Sequence, residues 1–431
     1  MTGRTGPGRP ETIQPGLERI LAAFDLSGHP ERSFRIFHIA GTNGKGSTAS
    51  FLDAILRRLQ PDPVGLYTSP HLISPEERIR VDGDAIPAES LHRSLDRAST
   101  LSRKVAETAG GPLSYFEEMT WAACDWFRKA KAPLAVMEAG LGGRWDATNA
   151  CMSVVSVVTT VGIDHREWLG KTLPQIAAEK AGIFRSGVPA LLGRLSFAAR
   201  GVAVRKAREA GAPVWELGRH FRWEDCGGRI RIHMPGLTVS GSRPGLAGDF
   251  QRDNAAIACA AAWRWASARG IPAAEFITAA REGISCARWP GRFSPLPGRK
   301  NRRAWVDGAH NPQAAGALAR ELGKMKAGGE AERIVALWSM LGDKDLSGFI
   351  RELSGVVDGW VPFPMVHERA ATIGELADAC RKSRCRARPA GDFREGWEIA
   401  RKWAGAAGLV IVCGSLVAVG EAFLDRVGGI P

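Results

Sequence analysis

The stretch HIAGTNGKGST, His38 to Thr48, gathers glycines, one lysine and three hydroxyls in the manner of a phosphate-binding loop. The common spelling, G-x-x-x-x-G-K-[ST], sets a hydroxyl directly after the lysine, whereas Gly46 stands here between Lys45 and Ser47. A strand ending at Ala40, a tight turn allowed by Gly41 and Gly44 and a helix beginning near Ser47 would aim backbone amides at an anion. Lys45 would add a point charge for the outer phosphates, and the Ser47 or Thr48 hydroxyl would suit a magnesium ion. Taken alone, the same residues also fit an ordinary glycine turn between strand and helix.

Further stretches offer complementary chemistry. TSPHL (Thr68 to Leu72) supplies hydroxyl oxygens of the kind a hard cation accepts. In MEAGLGGRWDATN (Met137 to Asn149), Glu138 ends a buried strand, where an unpaired carboxylate is costly. Such a carboxylate beside a phosphate loop suits magnesium, and a salt bridge to an arginine is the alternative. Arg144 and Asp146, in the loop that follows, would face an organic substrate. Asp164 and His165 lie just past another strand end, where ligands gather on a parallel sheet. Lys180, on the next helix, reads from spacing alone as a solvated lysine. GDFQRDN (Gly248 to Asn254) carries amides suited to a base edge, and RWPGRF presents Arg292 to a phosphate. DGAHNPQ ends a strand and opens a helix with Pro312 in its first turn. There Asp307 would accept ribose hydroxyls, and His310 or Asn311 would face the reacting end of a ligand.

These residues need a scaffold that brings many strand ends to one rim. Apolar runs at 33–41, 133–140 and 151–162 alternate with helix-like segments, and runs at 302–310, 333–340 and 408–415 repeat the rhythm. This predicts an α/β chain with mainly parallel, buried sheets. The Pro/Gly/Arg-rich RWPGRFSPLPGRKN divides it into domains 1–296 and 297–431, and alternation around residues 215–245 predicts a few antiparallel strands attached to the first domain. The 431 residues are 45% hydrophobic and 24% charged, too many for one comfortable core. Net charge is +13, but basic and acidic residues interleave, and short clusters such as PGRKNRR and CRKSRCRAR lack aromatics. Anionic substrates, and no nucleic-acid partner, are therefore expected. The eight cysteines lack zinc spacing and are expected to be reduced thiols. No stretch approaches the ~20 apolar residues of a membrane span, so a cytoplasmic protein without a membrane partner is predicted.

In order, GTNGKGS, SPHL, GLGGR-DATN, IDH followed by EKAGI, G-x-x-Q-x-x-N, PGR and DGAHN run along almost the whole chain. The set resembles the folylpolyglutamate synthase/dihydrofolate synthase family, a branch of the Mur ligase-like ATP-dependent amide ligases. The resemblance implies a P-loop ATPase domain followed by a smaller Rossmann-like α/β domain. It implies Gly44, Lys45, Gly46 and Ser47 on the phosphates of ATP, with Asn254, Arg292 and Asp307 completing that site. Ser69, Glu138 and His165 would surround Mg²⁺. Lys180 aligns with a lysine that the family carbamylates, which turns a cation into a carboxylate-like group. Ser114, Tyr115, Phe116 and Glu117, with Trp145, Asp146 and Ala147, match positions lining a pterin pocket, and His310 would lie near the glutamate end. The departures, Gln14 and Pro15, Ala139 and Trp145, and HERAAT at 367–372, fall mainly on the acceptor side.

The implied reaction is activation of a carboxylate of dihydropteroate or a folate as an acyl phosphate, followed by attack of the L-glutamate amine. Lys45, Lys180 and His310 would serve the chemistry, in a monomer. A muramyl-type ligase, a non-catalytic nucleotide-binding module and a basic nucleic-acid-binding protein are the competing expectations.

Overall fold

The computed structural model describes residues 15–296 and 303–427. Gln14 and most of the basic PGRKNRR segment lie outside the described residues. The first sheet is built from β1 (Arg35–Ala40), β2 (Val64–Tyr67), β3 (Ile79–Val81), β4 (Asp84–Ala85), β5 (Leu134–Glu138), β6 (Ser153–Val158), β7 (Ala190–Leu192) and β8 (Val214–Glu216), in the order β4-β3-β2-β5-β1-β6-β7-β8. Its six central and distal strands pair in parallel, while β3 and β4 add an antiparallel edge beyond β2. The parallel strands are apolar on both faces because helices cover both. Successive side chains of β1 alternate accordingly: Phe37 and Ile39 enter the core against the helices Lys45–Leu59, Asp249–Ser267 and Ala273–Cys286. Ile36 enters the opposite core, beside the helices Glu18–Leu26 and Tyr115–Lys129.

The alternating stretch after β8 folds as predicted into an antiparallel sheet of β9 (Arg222–Cys226), β10 (Arg229–Met234) and β11 (Leu237–Ser242), whose apolar face joins the first core. The last sheet comprises β12 (Ser294–Pro295), β13 (Ala304–Val306), β14 (Ile334–Trp338), β15 (Gly359–Pro362) and β16 (Leu409–Cys413), in the order β12-β13-β16-β14-β15. It is parallel except for β12, so the link from the first domain is stitched to the second sheet as its antiparallel edge. Among the described residues no helix is long and apolar enough to cross a membrane, and all eight cysteines are free.

The helix that follows the phosphate loop is held by a close backbone contact. A Cβ on Gly283, in the helix Ala273–Cys286, would lie 2.6 Å from the Ile55 Cα and 2.7 Å from its nitrogen. Neither atom can move without shifting the helix Lys45–Leu59. Gly283→Ala is therefore expected to destabilise the chain by about 1–3 kcal/mol despite alanine's better helix propensity. Urea unfolding reads this as a lower midpoint; a midpoint at or above the wild-type value would contradict the close packing.

Candidate active site

The loop after β1 is pinned by two threonines that follow β6. Thr42 N–H donates to the Thr160 carbonyl at 2.8 Å, Asn43 N–H to Thr160 Oγ1 at 2.9 Å, and Thr159 Oγ1 to the Asn43 carbonyl at 2.7 Å. The helix begins at Lys45, two residues earlier than the sequence predicts, with Gly44 as its left-handed N-cap at φ 85°. Early entry into the helix lets it pass directly over the end of β5, and this explains Gly46. A Cβ at that position would stand 2.8 Å from Trp289 Nε1 and 3.3 Å from Glu138 Oε2. The residue that breaks the common loop spelling is the one that makes room for a tryptophan and a buried carboxylate. Asn254 supports the loop from behind: its Oδ1 accepts from Thr48 Oγ1 at 3.3 Å and its Nδ2 donates to Gln251 at 2.9 Å.

Glu138 is buried at the end of β5, with Ser69 N–H at 3.3 Å and Lys45 Nζ at 3.7 Å. Burial raises its pKa, against the opposing charges of Lys45 and Arg292. Arg292 is half-buried, and its partial desolvation lowers its pKa despite the neighbouring Asp307 and Glu138. Asp307 accepts from the amides of Phe293 and Ala309, each at 2.8 Å, and so shapes the link that carries Arg292. Lys180 is not the solvated lysine that its spacing predicts. It is buried, its Nζ donates to the Gly41 carbonyl at 2.9 Å, and burial, reinforced by Lys45, lowers its pKa to about 7.

The carboxyl edges of the two sheets meet at Asp164. Lys344, from the loop after β14, reaches its Oδ1 at 2.7 Å, and His310 Nε2 lies 3.5 Å from Oδ2. Asn311 Nδ2 donates to Asp164 at 3.3 Å and to Asn43 of the phosphate loop at 3.0 Å. Asn43 in turn donates to Gln313 at 2.9 Å. Asn311 also caps the helix Pro312–Ala327, so the same residue starts a helix of one domain and contacts the loop of the other. His165 has left-handed backbone angles (φ 48°) beside Asp164; its side chain is partly exposed at this rim, and desolvation there lowers its pKa against the opposing charge of Asp164. Lys344 and Asn43 were not assigned from the sequence. LGDKD had marked a strand end, but nothing local shows that its lysine crosses between domains.

On the acceptor side, Ser114 and Glu117 form the capping box of the helix Tyr115–Lys129. Glu117 also binds Arg19 at 3.0 Å within the core. Their functional groups are engaged in shaping the wall, while Phe116 lies against Gly140, with Tyr67 at 5.9 Å between ring centroids. Tyr115 lies under the Arg78 guanidinium and Trp145 under that of Arg144, both rings partly exposed. Ala147 is buried. Asp146 accepts from Leu141 N at 2.9 Å and Thr148 N at 3.0 Å, closing the loop after Glu138.

Burial opposes ionisation of Asp164, but the contact from His310 and the Lys344 ammonium at 2.7 Å hold its pKa well below the usual carboxylate range. Its folded pKa is below its unfolded value, so its stabilisation is complete above about pH 4 and fades as pH falls through the folded value. Asp164→Asn is expected to cost about 3 kcal/mol at neutral pH, because it leaves the buried Lys344 charge with only the distant Asp343 carboxylate, at 4.0 Å, to oppose it. The gap between mutant and wild type should narrow on acidification below pH 4 in chemical denaturation. A gap independent of pH would contradict the charge assignment.

Residues 291–416 match the Mur ligase, glutamate ligase domain. The dihydrofolate synthase/folylpolyglutamate synthase of Escherichia coli (strain K12) is 36% identical over 416 residues, 94% of this chain and 90% of the relative. The structure of the Mycobacterium tuberculosis folylpolyglutamate synthase complexed with ADP superposes with TM-score 0.86 at 32% identity, covering 97% of this chain and 96% of that one. A bifunctional folylpolyglutamate synthase/dihydrofolate synthase with Mn, AMPPNP and L-glutamate bound gives TM-score 0.82 at 31% identity, covering 96% and 95%. With such identity maintained through both sheets and the rims that join them, the chain belongs to the dihydrofolate synthase/folylpolyglutamate synthase family of ATP-dependent ligases.

Proposed function

We propose that this chain joins L-glutamate to dihydropteroate and to folates, acting as both dihydrofolate synthase and folylpolyglutamate synthase, as a cytoplasmic monomer. The observation that carries the reading is the convergence of Lys45, Glu138, Lys180, Arg292 and the Asp164 junction where the two sheet edges of one chain face each other. A muramyl-type ligase would share the nucleotide half. The likeness to the E. coli relative, which extends over 94% of the chain and so through the acceptor side, supports the folate reading.

In this assignment the amides of Gly44 to Ser47 and the Lys45 ammonium hold the phosphates of ATP, and Arg292 approaches them from the link between the domains. The acceptor carboxylate attacks the γ-phosphorus, the bond to the β-phosphate oxygen breaks, and ADP leaves an acyl phosphate. The L-glutamate amine then attacks the acyl carbon, losing a proton as inorganic phosphate departs. Positioning and charge neutralisation do most of this work, and removing one charge contact costs on the order of 3 kcal/mol in the barrier. Lys344, His310 and Asn311 gather donors near the glutamate end. The opposed edges exclude water, which would hydrolyse the acyl phosphate.

The donors present suit Mg²⁺ carried by the nucleotide. Among the described residues no group of three His, Cys, Asp or Glu forms a cage, whereas Mg²⁺ takes one or two carboxylates together with substrate phosphates and water. Glu138, the Ser69 hydroxyl and the His165 imidazole would hold it, and bound there it would neutralise charge developing on the phosphates. Lys180 supports the carbamate assignment: a buried amine with a pKa near 7 is substantially neutral at working pH. Its nitrogen can attack CO₂, forming an N–C bond and releasing a proton, and the product is an anion where the lysine had been a cation.

Lys45→Ala is expected to abolish glutamate-dependent ADP formation with dihydropteroate while leaving the thermal unfolding midpoint close to that of the wild type. Near-normal turnover would overturn the loop assignment. Lys180→Ala should lose activity and recover part of it when acetate or another short carboxylate is supplied; full activity without addition would remove the carbamate.

A further inference from the structure

His38 lies in β1, two residues before Ala40 ends the strand, and is fully buried. Its Nε2 is 2.8 Å from Thr148 Oγ1, and that oxygen is 2.5 Å from Asp146 Oδ1. The proton positions follow from the donor inventory. Asp146 already accepts two backbone N–H groups, so its carboxylate is the acceptor and Thr148 must give it the single hydroxyl proton. The threonine oxygen can then only accept from His38 Nε2–H. With the Asp146 carboxylate ionised, the opposite tautomer would leave the contact between Thr148 and Asp146 with no proton in it. Burial, with repulsion from Arg185, pushes the His38 pKa down to about 3, so the ring stays neutral with a single N–H, which the Thr148–Asp146 bond places on Nε2.

Among the described residues, His38 Nδ1 has no hydrogen-bond partner. A buried unsatisfied nitrogen costs stability that an apolar side chain of similar size would not. The ring's contribution is therefore the bond it gives to Thr148. Asp146 binds Leu141 N and Thr148 N, closing the loop that begins directly after Glu138. Turning its carboxylate would move both ends of that loop.

We propose that His38 is a positioning residue for the acceptor: through Thr148 it fixes the carboxylate of Asp146, and it ties the acceptor loop to the strand that carries the phosphate loop. The inference rests on the acceptor role proposed for Trp145, Asp146 and Ala147. Two segments more than a hundred residues apart thus share one hydrogen-bonded line. Its failure should appear in the acceptor and leave the nucleotide largely untouched.

The test is steady-state kinetics of the full chain with dihydropteroate, ATP and L-glutamate, beside calorimetric binding of dihydropteroate. His38→Phe fills the space without the donor and should raise the acceptor KM about tenfold, with the ATP KM changed by less than about twofold. His38→Gln keeps an N–H and should recover most of the loss. Thr148→Val should reproduce the defect and Thr148→Ser relieve it, and the double variant His38→Phe/Thr148→Val should be no worse than the poorer single one. If His38→Phe fails to fold, the two Thr148 variants carry the same comparison. Unchanged acceptor KM, parallel changes for both substrates or strictly additive defects would overturn the relay while the acceptor assignment stands. A wild-type chain that binds no dihydropteroate would overturn both.

Discussion

Glu138 carries a charge into a place where charge is expensive, and the surrounding architecture follows from managing it. The carboxylate ends a strand buried on both faces, with one backbone amide and one ammonium nearby. Burial alone would neutralise it. Lys45 and Arg292 oppose that, and each comes from a different part of the fold: the first from the helix after β1, the second from the link into the last sheet. The helix can bring Lys45 this close only because Gly46 has no side chain to meet Trp289 and Glu138. The link holds Arg292 in place because Asp307, just after β13, accepts from the amide of the residue that follows it, Phe293. A surplus of cations facing a small number of carboxylates is a poor way to stabilise a protein and a good way to receive a polyphosphate.

Asp164 extends the same logic across the domain boundary. It collects Lys344, His310 and Asn311 from the second sheet's rim, so the relative placement of the domains depends on a buried ionic junction as well as apolar packing. Such junctions hold a defined geometry at little net gain in stability. That suits a site assembled from the facing rims of two sheets.

Much of this was legible in the residues themselves. Strand-length apolar runs gave the parallel sheets, and the sequence also foretold the antiparallel strands after β8. The motifs resembling one ligase family predicted the membership that the comparisons show. What was not legible lies in three-dimensional neighbourhood. Lys180 sits on a short helix whose pattern suits solvent, and only the fold turns its amine inward onto the Gly41 carbonyl. Lys344 and Asn43 carry no local mark of crossing between domains. Ser114 and Glu117, attractive as pocket polar groups, turn out to cap a helix and bind Arg19, because a capping box and a binding motif use the same residue types. His38 reads as one more residue of an apolar strand until Thr148 and Asp146 are seen beside it.

The central claim is that this charge-lined rim activates a folate-type carboxylate for glutamate. Its most direct test is the mass of the product formed when the wild-type chain is given ATP, L-glutamate and either dihydropteroate or tetrahydrofolate. The account predicts that each acceptor gains a glutamate residue, with one ADP and one phosphate released per amide bond. ATP cleavage without a change in acceptor mass, or no reaction with either acceptor, would contradict it.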